Sequence, residues 1–311
     1  MKTLFAAVAL LAAVPATAQV APAPARASAP RTILFVGNSF TQGAHSAVRN
    51  WRANTVTDLN NAGYGGVPAL FKRFTEEVGQ NWSVSLETQG GKTLGFHYDE
   101  RRALFDRAWD VVVLQELSTL DRDRPGDATS YIADVGRLVP LLRARNPRVD
   151  VQLMATWSRA DIAYRGRTGP WANRPIATMA EDLRVAADRA RAAVPGVAGV
   201  LPVGQAWNRA FAARVADADP YDGTTFGEMN LWAYDHYHAS TYGYYLEALV
   251  VFGRITGLDP RTLGKDETAA DELGLSDVQA VALQRIAAEQ LAAEPDAGRR
   301  SGGAAFGSTQ P

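Results

Sequence analysis

The chain contains no cysteine, so no disulfide can staple it, no thiolate can serve as nucleophile or metal ligand, and no lipid can be attached through sulfur. An excess of either charge is equally lacking. Against 32 lysines and arginines stand 33 aspartates and glutamates, a formal net charge of −1, with neither the basic stripe that nucleic acid requires nor an acidic block. No nucleic-acid partner is expected, and a small or neutral substrate is. Histidine is scarce: His45, His97, His236 and His238 are the whole supply, so any imidazole proton relay draws on a short list. Long apolar runs are missing beyond residue 18, where nothing approaches the ~20 uninterrupted apolar residues of a membrane span. No stable membrane anchor is expected.

The beginning of the chain has a different character. Lys2, the run "LFAAVALLAAV" and then "ATA" before Gln19 follow the three-part layout of a secretory signal peptide with a small-residue cleavage site. This layout predicts a signal peptide over residues 1–18 and an exported chain in the periplasm or outside the cell. Residues 19–30 read as a Pro/Ala linker and residues 295–311, rich in glycine, as a flexible tail. Between them, residues 31–294 read as one globular domain, in a chain whose 47% hydrophobic and 21% charged residues are of the ordinary globular class.

Inside that domain short apolar runs alternate with helical patterns. "RTILFV", "WSVSLETQ", "DVVVLQ", "VDVQLMAT" and "GVLPV" read as strands, with helices near 67–79, 98–107, 129–145, 176–193, 204–216 and 240–256. That order predicts a doubly wound parallel α/β sheet. A further amphipathic helix, 276–292, is opened by Ser276 and Gln279 at capping-box spacing. Residues 43–66 and 157–175 lack periodicity and read as long loops. Their tryptophans suit either the walls of a site or buried anchors.

Candidate chemistry starts at "ILFVGNSFTQG", where a run of buried-strand character stops at Gly37-Asn38-Ser39. A serine at the carboxyl end of a parallel strand sits where open α/β sheets place their ligands. On its own it is equally a turn residue or helix N-cap. In "LWAYDHYHAS", Asp235 precedes His238 by three residues, close enough for carboxylate and imidazole to meet within one turn of chain, while His236 points elsewhere. His45 falls in the irregular first loop and His97 near a helix start, where a solvated or structural role is expected. Asp235 alone could satisfy backbone amides, Gly90-Gly91 could be punctuation and Gln115 a solvated strand end.

"GNSFT", "QGGKT", "LQELS" and the late D-x-x-H occur in the order of the catalytic blocks of one family, over about residues 32–257. The sequence resembles the SGNH (GDSL-like) hydrolases, in a branch with "GNSFT" at the nucleophile. That resemblance implies a flavodoxin-like three-layer α/β/α sandwich with a central parallel sheet, and ester hydrolysis without metal or other cofactor. It implies Ser39 as nucleophile, His238 as base and Asp235 as its carboxylate. It also implies an oxyanion hole from the amides of Ser39 and Gly91, with Gly90 the competing register. Two departures are visible. Asn38 replaces the family's aspartate, and "LQELS" has no Gly-x-Asn-Asp asparagine, so the resemblance implies Gln115 as third donor, or Ser118 if the register slips. The expected substrate is a small-molecule or glycan ester, an acetyl ester first. Two other readings stay open: a metal-dependent hydrolase built on Asp235, His236 and His238, and a non-catalytic carbohydrate-binding protein using some of seven tryptophans and ten tyrosines.

Overall fold

A computed structural model describes residues 29–295. The expected signal peptide over 1–18, nearly all of the 19–30 linker and all but the first residue of the 295–311 tail lie outside them. The described residues form a six-stranded, all-parallel sheet in the order β2-β3-β1-β4-β5-β6. The strands are β1 (Arg31–Gly37), β2 (Thr57–Asp58), β3 (Trp82–Thr88), β4 (Val111–Leu114), β5 (Asp150–Ala155) and β6 (Val197–Pro202). Setting aside the two-residue edge strand β2, this is the flavodoxin-like order 2-1-3-4-5.

The unbroken apolar runs follow from burial on both faces. Ile33 and Phe35 of β1 enter one core, Leu34 and Val36 the other; Val111 and Val113 of β4 oppose Val112 and Leu114 in the same way. Helices α1 (Gly66–Glu77), α4 (Val203–Ala212), α5 (Thr241–Thr256) and α6 (Asp277–Ala292) cover the first face, and α2 (Thr129–Arg145) and α3 (Ala177–Ala193) the second. The result is a three-layer α/β/α sandwich. Helix α6 starts where its capping box predicts: Ser276 Oγ accepts from Gln279 N–H (3.4 Å) and Gln279 Oε1 accepts from Ser276 N–H (2.9 Å).

The expected helix at 98–107 is instead broken into Leu94–Phe96, a π turn at His97–Arg101 and Arg102–Phe105. The loop 43–66 holds two 3-10 turns and β2, and 157–175 holds a short helix, Ala160–Arg165. Trp157 is fully buried and stacks on Phe40 (4.1 Å) and Trp207 (4.7 Å), so it anchors its loop from beneath. No helix among the described residues is long and apolar enough to cross a membrane.

The strands deliver their C-terminal ends to one edge. Gly37 pairs with Thr88 and Val36 with Leu114, so the segments after β1, β3 and β4 emerge side by side at the point where strand order reverses, the usual ligand crevice of such sheets. Gly37 itself is demanded by space: a Cβ there would lie 2.5 Å from Thr41 Oγ1 and 2.7 Å from Gln115 Oε1. Gly37→Ala should therefore cost about 1–3 kcal/mol as an overpacked site, read as a lowered melting temperature by circular dichroism.

Candidate active site

Ser39 is the second residue after β1. The chain turns tightly there, with Gln42 N–H donating to Asn38 O and Ala44 N–H to Ser39 O, both 3.1 Å. Asn38 braces the turn from three directions. Its N–H donates to Gln115 Oε1 (2.9 Å), its Nδ2 to Lys92 O (3.1 Å), and its Oδ1 accepts from Phe40 N–H (3.3 Å). Below it, Tyr244 Oη donates to Ala44 O (3.0 Å). Asn38 thus belongs to the scaffold that ties the first and second sequence blocks together.

The loop carrying Asp235 and His238 is fixed by Ala233 N–H to His238 O (2.8 Å), Ser240 N–H to Leu231 O (2.8 Å) and Trp157 Nε1–H to Tyr237 O (3.1 Å). One Asp235 oxygen accepts from the amides of Tyr237 (3.1 Å) and His238 (3.0 Å); the other lies 2.6 Å from His238 Nδ1. His238 Nε2 then lies 2.9 Å from Ser39 Oγ. With Nδ1–H directed at the carboxylate, Nε2 is left as the acceptor for the serine proton, a tautomer inferred from the network. Asp235 serves both expectations at once, satisfying the turn with one oxygen and the imidazole with the other.

Burial holds His238 below the ordinary imidazole range; Asp235 opposes this, and His45 and Arg159 reinforce it. For Asp235 burial acts upward, but the His238 ring and the two loop amides outweigh it and keep the carboxyl below its usual range. The imidazole is therefore neutral, and the carboxylate charged, at pH 7.

His45 is the residue sequence reasoning missed. Its ring lies tilted against His238 with centroids 4.4 Å apart, its Nδ1 lies 2.6 Å from Tyr234 Oη, and its Nε2 lies 3.9 Å from Asp235. Its backbone is left-handed, with φ 64°, a conformation no sequence pattern announces. His236 turns away, also left-handed at φ 56°, and its ring packs on Tyr221 at 4.2 Å. The metal cluster imagined on Asp235, His236 and His238 is thereby corrected: among the described residues, the three side chains whose ligand atoms lie within 4.8 Å of one another are His45, Asp235 and His238. His97, fully buried, pairs with Glu87; of the two roles expected for it, solvated or structural, the structural one fits.

Gly90 and Gly91 both line the cleft of about 290 Å³ over Ser39. Gly91 alone is left-handed, φ 67°, and its carbonyl accepts from Arg122 Nη2 at 2.9 Å. The expected third donor is corrected. Gln115 is fully buried, accepts on Oε1 from Asn38 N–H and Thr41 Oγ1 (3.1 Å), and spends Nε2 on Glu116 O. Its amide backs the turn that carries Ser39 and does not line the cleft. Ser118 lines a neighbouring recess with Gly91, but its Oγ is enclosed and without a hydrogen-bond partner among the described residues. Beside them Glu116 joins two loops, accepting from Leu117 N–H (2.6 Å) and Leu94 N–H (3.1 Å). Burial pushes its carboxyl up to about 8 despite both bonds.

No protein-family model and no curated protein matches the sequence. Among solved structures, the chain is similar to TesA, at 12% identity over 73% of this chain and 99% of that one, with a TM-score of 0.47. A GDSL-like lipase from Bacteroides thetaiotaomicron is 14% identical over 73% and 89%, with a TM-score of 0.38. A two-domain esterase active on acetylated mannans is 15% identical over 73% of this chain and 49% of that one, about half its length, with a TM-score of 0.47. At these identities the likeness assigns no residue a role.

The geometry makes the state of His238 measurable. Histidine NMR titration should place its pKa below the roughly 6.5 of a free imidazole, and Asp235→Asn should lower it further, because the carboxylate is what holds the pKa up. A rise in the Asn variant would refute that assignment of causes.

Proposed function

We propose that the protein is a serine ester hydrolase of the SGNH type. The observation that carries this reading is the line from Asp235 Oδ2 to His238 Nδ1 (2.6 Å) and from His238 Nε2 to Ser39 Oγ (2.9 Å), at the crevice where the sheet's strand order reverses. Nucleophile, base and carboxylate stand in the contact order that acyl transfer requires.

In this mechanism Ser39 Oγ attacks the ester carbonyl while its proton passes to His238 Nε2, and Asp235 holds the imidazolium. The carbonyl oxygen becomes an oxyanion facing the backbone N–H groups of Ser39 and Gly91, which serve as its donors without a Gln115 contribution. Collapse expels the alcohol, which takes the proton from His238. Water then loses a proton to His238, attacks the acyl-serine and releases the acid and free Ser39. Because the base is held low, neutral imidazole persists into mildly acid solution, so the acid limb of kcat/KM belongs below about pH 6.5.

The finer reading is an exported esterase removing an acetyl group from a small molecule or glycan. Export is supported by the layout of residues 1–18, and a small acyl group by the modest cleft over Ser39. A tryptophan platform for a purely sugar-binding protein finds little support, since Trp82, Trp109, Trp157, Trp171, Trp207 and Trp232 are all buried. A metal-dependent reading has one observation in its favour, the cluster of His45, Asp235 and His238. An ion there would compete for His238 Nδ1 and leave the Ser39 contact without a use.

Three variants and a chelator separate these readings. Ser39→Ala should abolish hydrolysis of 4-nitrophenyl acetate with little change in melting temperature, and exhaustive chelation should leave the wild-type rate intact; loss on chelation with recovery on zinc would replace the serine mechanism. Gly91→Ala forces a side chain into a left-handed position and displaces an oxyanion donor. It should cut kcat by up to about 10²-fold at nearly constant KM. Gly90→Ala, whose Cβ would meet nothing nearer than Gln42 Oε1 at 4.0 Å, should stay close to wild type. The reverse ranking would move the oxyanion register to Gly90.

A further inference from the structure

Beside the Ser39 cleft lies a second, larger recess of about 460 Å³, walled by Gln42, Arg49, Asn60, Tyr64, Gln89 and Arg101 among others. It is continuous with the cleft, because Gln42, Arg49 and Gly90 line both. Its size falls within the roughly 300–1,000 Å³ of small-molecule sites, far more than an acetyl group needs. The recess therefore suits the alcohol part of an ester whose carbonyl sits over Ser39.

Its charge is one-sided. Arg49 donates through Nη2 to Tyr64 Oη (2.6 Å) and lies over the Tyr64 ring, and Arg101 lies over the Phe96 ring. Neither has an ion-pair partner among the described residues, and the Nε of each is enclosed with no acceptor. Arg73 shares an unpartnered Nε, yet its fork is taken by Glu77 (2.9 Å) and Glu76 (3.8 Å); at Arg49 and Arg101 no carboxylate plays that part. The nearby acids are spent. Glu87 is buried against His97 and accepts from Asn60 Nδ2 (3.2 Å), and Asp58 accepts from the amides of Asn60, Ala62 and Tyr64. Two guanidinium groups stacked on aromatic rings, partly desolvated and without an internal counter-charge, are an unmet demand for an oxyanion.

We propose that this recess is a carboxylate subsite, and that the ester hydrolysed at Ser39 is carried by a sugar acid or comparable anionic alcohol. This rests on the ester-hydrolase reading for its chemistry, though the binding half stands without it. A carboxylate entering the recess meets Arg49 and Arg101, while the amide and phenol groups of the wall meet hydroxyls. The overall charge of −1 does not oppose this, because only the local field at the recess acts on a bound group.

The test compares mono-O-acetylated methyl glycosides of glucuronic acid, glucose and glucose 6-phosphate. Wild-type kcat/KM should favour the uronate over the neutral sugar by about 10- to 100-fold, the scale of a charge-assisted bidentate contact. In Arg49→Gln and Arg101→Gln that ratio should fall towards 1; because it is a ratio within each variant, a general loss of folded protein cancels. Separately, calorimetry on Ser39→Ala should detect binding of sodium glucuronate and none of glucose. Glucuronate binding without turnover of any ester would uphold the subsite and overturn the hydrolase. Equal turnover of uronate and neutral ester with no glucuronate binding would overturn the subsite and uphold the hydrolase. A preference for the phosphate ester over the uronate would overturn the carboxylate assignment.

Discussion

One side-chain oxygen sets the geometry of the candidate site. Gln115 Oε1, at the end of β4, accepts both the N–H of Asn38 and the hydroxyl of Thr41, and so fastens the turn after β1 to the neighbouring strand. A Cβ at position 37 would meet this oxygen at 2.7 Å and the Thr41 hydroxyl it accepts from at 2.5 Å. The apolar run of β1 meets its end here, where the Thr41 hydroxyl and the Gln115 amide together fill the space a side chain would occupy. The turn it fixes then presents Ser39 to His238. A buried N–H and a buried hydroxyl would lose their acceptor if the amide were removed, and such losses are costly where water cannot substitute.

Much of this was legible in the sequence. Continuous apolar strands mean burial on both faces, and with intervening helices they give the parallel sandwich; the Ser276–Gln279 spacing gave the start of the last helix. Ser39, Asp235 and His238, which the order of the sequence blocks linked, lie in contact in the structure; a strand end or a three-residue spacing alone left each of them open. What was not readable was non-local or depended on rare backbone states. Gln115 was expected to donate to the oxyanion, whereas its amide is bonded to Asn38, Thr41 and Glu116 in the packing between β1 and β4. His45 reaches the imidazole through a left-handed residue in an aperiodic loop. Arg49 and Arg101 come from unrelated segments, and the charge count averages them away. The break in the expected 98–107 helix has the same character, since the Glu87–His97 contact crosses from a strand to the π turn.

Asp235 and its neighbours form a shared electrostatic unit. One carboxylate supports two loop amides, the imidazole at 2.6 Å and, at 3.9 Å, the ring of His45. Burial and the second histidine push the base down while the carboxylate pulls it up. The balance leaves a neutral acceptor beside the serine, the state in which the imidazole can take a proton.

The contact between Ser39 and His238 joins residues 199 positions apart. During synthesis at about 5–20 residues per second, roughly 10–40 s separate the appearance of the two. Through that interval the first strand exists without its imidazole, and the Gln115 amide that shapes its turn is made long before the histidine. The contact can form only once the chain has passed His238, and Tyr244 of α5, which braces the turn through Ala44 O, follows six residues later. A chain that ends before residue 238 therefore holds the serine without the imidazole that contacts it.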